Sequence, residues 1–338
     1  MEVIEKVKTN CIMVDSQPEF VSGAEESVSA NFFVLCEDNS AENLQKNIYE
    51  YEICGESLID WVQRACITRP MVLRCTDEDE IISLIRPYIS NAEYSVVLFA
   101  NTPLVNKQHL IDLLSFVKVK HMSACKLKKG YIFRNEYIQT INEIFSVDEY
   151  DFSSGDFYEV TDLKSLDVAR EVLLCRLVDF YNQKGVVFEN SNNISIDANS
   201  EIGYFSKIGN NVSIINKSKV GTNCEILTNS TISNSKIDDD VIIGAGVIIE
   251  NSVIKQGAQI GFGSVIKNSV IGENVSVGSS SKILKSKIED EAVVEDFVTT
   301  VRVQVGKNAK VCSGARVVAG ENAILIEENS TINANAKF

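Results

Sequence analysis

Between Val220 and Val317 an aliphatic residue returns every five or six positions, and this spacing limits the fold more than anything else in the chain. The series reads Val220, Ile226, Ile232, then Ile237, Ile243, Ile249, then Ile254, Ile260, Ile266. It continues through Ile271, Val277, Ile283, then Ile288, Val294, Thr300, and ends at Val305, Val311, Val317. The steps are six, six and five, so the pattern repeats every 17 residues, with Ser235, Ser252, Ser269 and Ser286 each two residues before a new turn begins. A helix repeats near 3.6 and a half-buried strand near 2, so neither accounts for this period. Three short strands per turn do, each sending one aliphatic side chain inward and each followed by a corner rich in Gly or Asn. Coils stacked at roughly 4.8 Å give about six coils over this stretch and a prism of order 30 Å, in which no coil is stable without its neighbours.

This repeat resembles the hexapeptide-repeat left-handed β-helix, and the resemblance implies a homotrimer formed through the prism faces. Three less regular rungs, Ile196, Ile202 and Ile208, precede it. Residue usage changes near 190: all four Pro and the single Trp61 come before, and most Gly come after. The expected division is an N-terminal extension over 1–30, an α/β domain over 31–190 and an all-β helix over 191–338.

The N-terminal half alternates strand and helix signals. Phe32 to Leu35, Met71 to Leu73 and Tyr94 to Ala100 read as strands, while Leu58 to Cys66 and a segment opening at His109 read as helices. Acidic Asp77 to Glu80, ahead of Ile81, Ile82 and Ile85, suits a helix N-terminus. This alternation predicts a parallel, doubly wound, Rossmann-like sheet.

Several segments sharpen that expectation. Asn31 to Cys66 resembles the opening of sugar-phosphate nucleotidyltransferases, and Val96 to Leu114 resembles the strand and loop that carry that family's metal-binding Asp. Gly130 to Ile138 and Asp156 to Leu163 resemble later pieces of the same fold. Followed by the β-helix, the whole is similar to the family of bifunctional enzymes that make UDP-N-acetylglucosamine, a uridylyltransferase joined to a glucosamine-1-phosphate acetyltransferase. That resemblance implies Mg²⁺ and UTP at the first site and acetyl-CoA at the second.

The residues at the matching positions differ from those such chemistry needs. Where bare backbone amides should approach a triphosphate, the chain has Cys36, Glu37, Asp38, Asn39, Ser40, Ala41 and Glu42, with no Gly between 24 and 54. Carboxylates there would repel phosphate, by about 1 kcal/mol per pair at ~4 Å even at the dielectric of water. The metal-binding Asp is Asn101, which offers a neutral carbonyl oxygen where Mg²⁺ relies on carboxylates. In the β-helix, Ser313 stands where the acetyltransferase has its His base, with Arg316 three residues on. The two His of the chain, His109 and His121, both lie outside the repeat.

The expected reading is therefore a catalytically degenerate relative with no cofactor, serving as a trimeric scaffold, regulatory or ligand-binding protein. Its candidate ligand contacts are Cys36, Asn101, Ser313 and Arg316, toward a sugar nucleotide or a protein partner. Two alternatives stand beside it: a divergent nucleotidyltransferase or acyl-CoA-dependent acyltransferase, and a structural assembly protein. A net charge of −15 argues against nucleic acid and anionic membranes as partners. Lys118, Lys120, Lys126, Lys128 and Lys129 read as a solvated basic face. Nine Cys without CxxC spacing, and no leader or apolar run near 20 residues, fit reduced thiols in the cytoplasm.

Overall fold

The computed structural model describes residues 29–37, 44–144, 147 and 155–334. The extension up to Val28, with Cys11, and the loop carboxylates Asp38 and Glu42 lie outside the described residues. The chain forms two compact units that divide between Leu173 and Leu174.

The first unit is built on a five-stranded sheet. In chain order its labelled elements are β1 (Ala30–Glu37), α1 (Leu58–Ala65), β2 (Met71–Cys75), α2 (Ile81–Ile85), β3 (Tyr94–Phe99), α3 (Lys107–Val119), β4 (Ala124–Leu127) and β5 (Gly130–Arg134). The strand order is β2-β1-β3-β5-β4. β1 pairs in parallel with both β2 and β3, with Val34 beside Val72 and Leu98. The expected helices begin at polar caps: Ser57 accepts from the Asp60 amide at α1, and Asn106 accepts from the Gln108 amide at α3. β1 and β3 are apolar on both faces, since Phe32, Val34 and Leu98 enter one core and Phe33, Leu35 and Phe99 the other.

The sheet is not parallel throughout. β5 runs antiparallel to both β3 and β4. Parallel neighbours need a crossover of a dozen or more residues, and only Lys128 and Lys129 separate β4 from β5, so a hairpin is the one connection available. Gly130 makes this turn fit. Its φ is +134°, and a Cβ there would lie 2.6 Å from the Val97 carbonyl oxygen on β3.

The second unit is a three-sided parallel β-helix whose faces carry eight, nine and eight strands. Every rung read from the sequence between Val220 and Val317 is buried, none more than 4% exposed. Fully burying each Ile or Val contributes roughly 1.5–3 kcal/mol. The coil length is 17 through the centre, as in the pairing of Lys219 with Lys236. It is 18 at the start, where Val220 pairs with Ile202, and 21 at the end, where Ile326 pairs with Val305.

The serines of the five-residue step form a hydroxyl ladder. Ser235 Oγ donates to the Ser233 carbonyl at 2.8 Å and accepts from the Ser252 amide at 3.1 Å. Ser252, Ser269 and Ser286 repeat this from coil to coil. At these corners the hydroxyl takes a carbonyl's place as acceptor for a buried amide, as Ser264 and Ser281 also do in six-residue steps. Asn234, Asn251 and Asn268 sit beside the ladder at φ of 45° to 51°, a region in which Asn costs little. At another corner Gly221 leaves room for Asp239, whose Oδ1 accepts from the Thr222 amide at 2.7 Å.

Candidate functional site

In an open sheet of this kind, ligands sit at the carboxyl ends of the strands where the strand order reverses. That point is β1, flanked by β2 on one side and β3 on the other. Four connections converge on it, bringing Glu37 from the end of β1, Glu78 from just after β2, Asn101 from just after β3, and Lys129 from the β4–β5 turn.

Lys129 is the centre of the site. Its Nζ lies 3.2 Å from Glu37 Oε1, 3.3 Å from Glu78 Oε1 and 3.6 Å from Glu159 Oε1. The same ammonium stands 4.2 Å from the centre of the Phe99 ring. Its side chain is only 15% exposed, so the solvated basic face expected from the sequence is not what this lysine forms. Burial works against the Lys129 charge, but Glu37, Glu159 and Glu78 outweigh it, and its pKa is raised. Burial likewise opposes ionisation of Glu78, yet the Tyr131 hydroxyl at 2.8 Å and the Lys129 ammonium hold its carboxyl below its ordinary value.

The segment from Asp156 to Val160 closes over Asn101. The Val160 amide donates to the Asn101 carbonyl oxygen at 2.8 Å, and Asn101 Nδ2 donates to Glu159 Oε1 at 3.1 Å. Asp156 pairs through its carboxylate with His109 Nδ1 in the first turn of α3. Asn101 is 5% exposed, and its Oδ1 has no hydrogen-bond partner among the described residues. Cys36 is buried with Phe32 and Val34 in the core on one face of the sheet, away from this charged edge.

The β-helix candidates sit in the other unit. Ser313 Oγ donates to Glu295 Oε2 at 2.9 Å, and the Ser313 amide donates to the same oxygen. Lys310 lies 2.6 Å from the other carboxylate oxygen. Bonding to Lys310 and then to Ser313 pulls the Glu295 pKa down to about 2. Arg316 points outward beside Thr299 on the preceding coil and is exposed. The structure thus brings Ser313 and Arg316 within one coil, and in the other unit places Asn101 at the charged edge with Cys36 turned away.

Sequence reading found Glu37 and Asn101 and missed Lys129, Glu78 and Glu159 as partners. The signal for Lys129 was its place just before the apolar run Tyr131–Phe133, in a turn too short for a crossover. Among the described residues no group of three or more His, Cys, Asp or Glu side chains is arranged to hold a metal ion. None of their helices is long and apolar enough to cross a membrane.

No protein-family model matches the chain, and no curated protein matches it. Among solved structures it is similar to the UDP-N-acetylglucosamine acyltransferase of Francisella novicida. The identity is 18%, the match covers 40% of this chain and 68% of that one, and the TM-score is 0.18.

Proposed function

We propose that this chain is a non-catalytic protein built on the architecture of a sugar-nucleotide enzyme, and that it acts as a scaffold or regulatory subunit. One observation carries the reading: the edge of the α/β sheet where a nucleotide and its metal would sit is occupied by the chain's own Lys129, held by Glu37, Glu78 and Glu159. The ammonium takes the position among the three carboxylates that a bound cation would take, and offsets one of their charges. A divalent ion would have to displace it, and the neutral Asn101 offers it little in return. A triphosphate would meet carboxylates at the mouth of the edge, where it needs bare amides and positive charge. In the β-helix, Ser313 is engaged by Glu295, and no His lies in the repeat to serve as a base.

The test is turnover and binding by the full chain. Diphosphate release from Mg²⁺, UTP and N-acetylglucosamine-1-phosphate should not exceed a no-protein control, and neither should acetyl transfer from acetyl-CoA to glucosamine-1-phosphate. Turnover above control in either assay overturns the reading. We propose further that the β-helix assembles as a homotrimer, and light scattering that returns a monomer mass would remove that part alone.

A further inference from the structure

The two edges of the α/β sheet differ. β4, at one end, alternates between half-buried and buried, with Cys125 and Leu127 turned inward. β2, at the other end, pairs with β1 and no other strand among the described residues, and its first two residues stand open on opposite faces: Met71 is 39% and Val72 43% exposed. Beside them lie Arg69 and Arg74, both exposed. The other arginines of this unit are engaged: Arg64 with Glu56, Arg134 with Glu93, Arg170 with Asp167, and Arg86 with the Ile138 carbonyl. Arg69 and Arg74 have no such partner among the described residues, in a chain with 47 acidic and 32 basic side chains.

We infer that β2 is a docking edge for an extended, acidic segment of a partner protein, which adds to the sheet as a sixth strand. The unpaired outer backbone groups of an edge strand supply the hydrogen bonds. Met71 and Val72 supply apolar contacts on the two faces, and Arg69 and Arg74 select carboxylates at either end. A second copy of this chain does not fit the same edge. Pairing β2 with itself would bring four guanidinium groups along one strand gap, and like charges across neighbouring strands are destabilising.

The test uses fluorescence polarisation on the full chain with two labelled nonapeptides, one alternating Val and Thr with Glu, the other with Lys replacing Glu. The acidic peptide should bind at least tenfold more tightly than the basic one. The paired change Arg69→Glu and Arg74→Glu should reverse that order, with circular dichroism confirming that the fold is kept. Val72→Glu, which places a like charge beside the acidic peptide without a proline's risk to folding, should weaken its binding at least tenfold. No binding by either peptide, or equal binding by both, overturns the inference. So does a wild-type oligomer, seen by light scattering, that Val72→Glu dissociates, because the occupant would then be a second copy.

Discussion

Thr300 is the one polar side chain among the rungs of the β-helix from Val220 to Val317, and replacing it tests how that core is held. It lies between Ile283 and Val317 in the stack of one face, is fully buried, and its Oγ1 has no hydrogen-bond partner among the described residues. A buried hydroxyl without a partner costs roughly 1–3 kcal/mol, and an apolar group of the same shape removes that cost. Thr300→Val should therefore stabilise the β-helix by about 1–2 kcal/mol. Ser269→Ala is the contrasting change. Its Oγ donates to the Lys267 carbonyl at 2.8 Å and accepts from the Ser286 amide at 3.1 Å. Deleting it orphans a buried amide and should cost about 1–3 kcal/mol. Each variant removes one hydroxyl from the same prism, and the expected signs are opposite. Urea titration followed by circular dichroism reads both, as shifts in midpoint at unchanged slope. If Thr300→Val leaves the midpoint unchanged or lowers it, the threonine hydroxyl has a partner and the account of this core is wrong.

Lys129→Met leaves three carboxylates facing one another and should lower the stability of the α/β unit by about 2–4 kcal/mol, the upper range being reserved for fully buried pairs; thermal unfolding checks it, and a neutral shift would show the cluster to be incidental. The same cluster sets a pH window. Glu78 titrates below its ordinary 4.5 in the folded chain, so its contribution is present above that value and is lost as pH falls through the folded pKa. Lys129 titrates above 10.5, so its contribution is complete below that value and is lost as pH rises through the folded pKa. The thermal midpoint of the first unit should therefore be flat between these limits and decline outside them, and Lys129→Met should flatten the alkaline decline. Burial pushes the Cys66 thiol up to about 12 and the Cys224 thiol up to about 11. At pH 8 a thiol reagent should leave both intact in the native chain while labelling exposed Cys175 first, as peptide mapping by mass spectrometry would show.

The β-helix could be read from the sequence because its information is local and repeated. Ile243, Ile260, Val277 and Val294 obey one spacing, and each error in a single rung is corrected by its neighbours. The serine positions were visible for the same reason, although the hydroxyl ladder they form needed coordinates. What the period did not mark is the second set of buried residues at the corners, such as Val241, Ala258, Val275 and Ala292. They stand two positions before a rung and keep its 17-residue spacing, but they vary between large and small, so hydrophobicity alone does not mark them. The α/β strands were placed from their apolar runs. The antiparallel hairpin was missed because β4, with Lys126 in the middle of Ala124–Leu127, is too short and too polar to register as a strand.

The charged edge could not be read in this way, and the reason is physical. Its four charges come from connections that lie up to 122 positions apart in the chain, from Glu37 to Glu159, and nothing periodic links them. Each has a sufficient local explanation: Glu78 as an acid at a helix start, Lys129 as one of several lysines, Glu159 as one of many carboxylates. Only the sheet order, with β1 between β2 and β3 and the β4–β5 turn at the same edge, makes them neighbours. Once they are neighbours, the sequence peculiarities of this edge have one cause. A loop without glycine, a neutral Asn101 and a row of carboxylates would each disable a nucleotide site separately. Lys129 stands among these carboxylates as a built-in cation that dilution cannot remove, and it offsets one of their three charges. An edge held in that way contributes to the rigidity of the unit at all ligand concentrations.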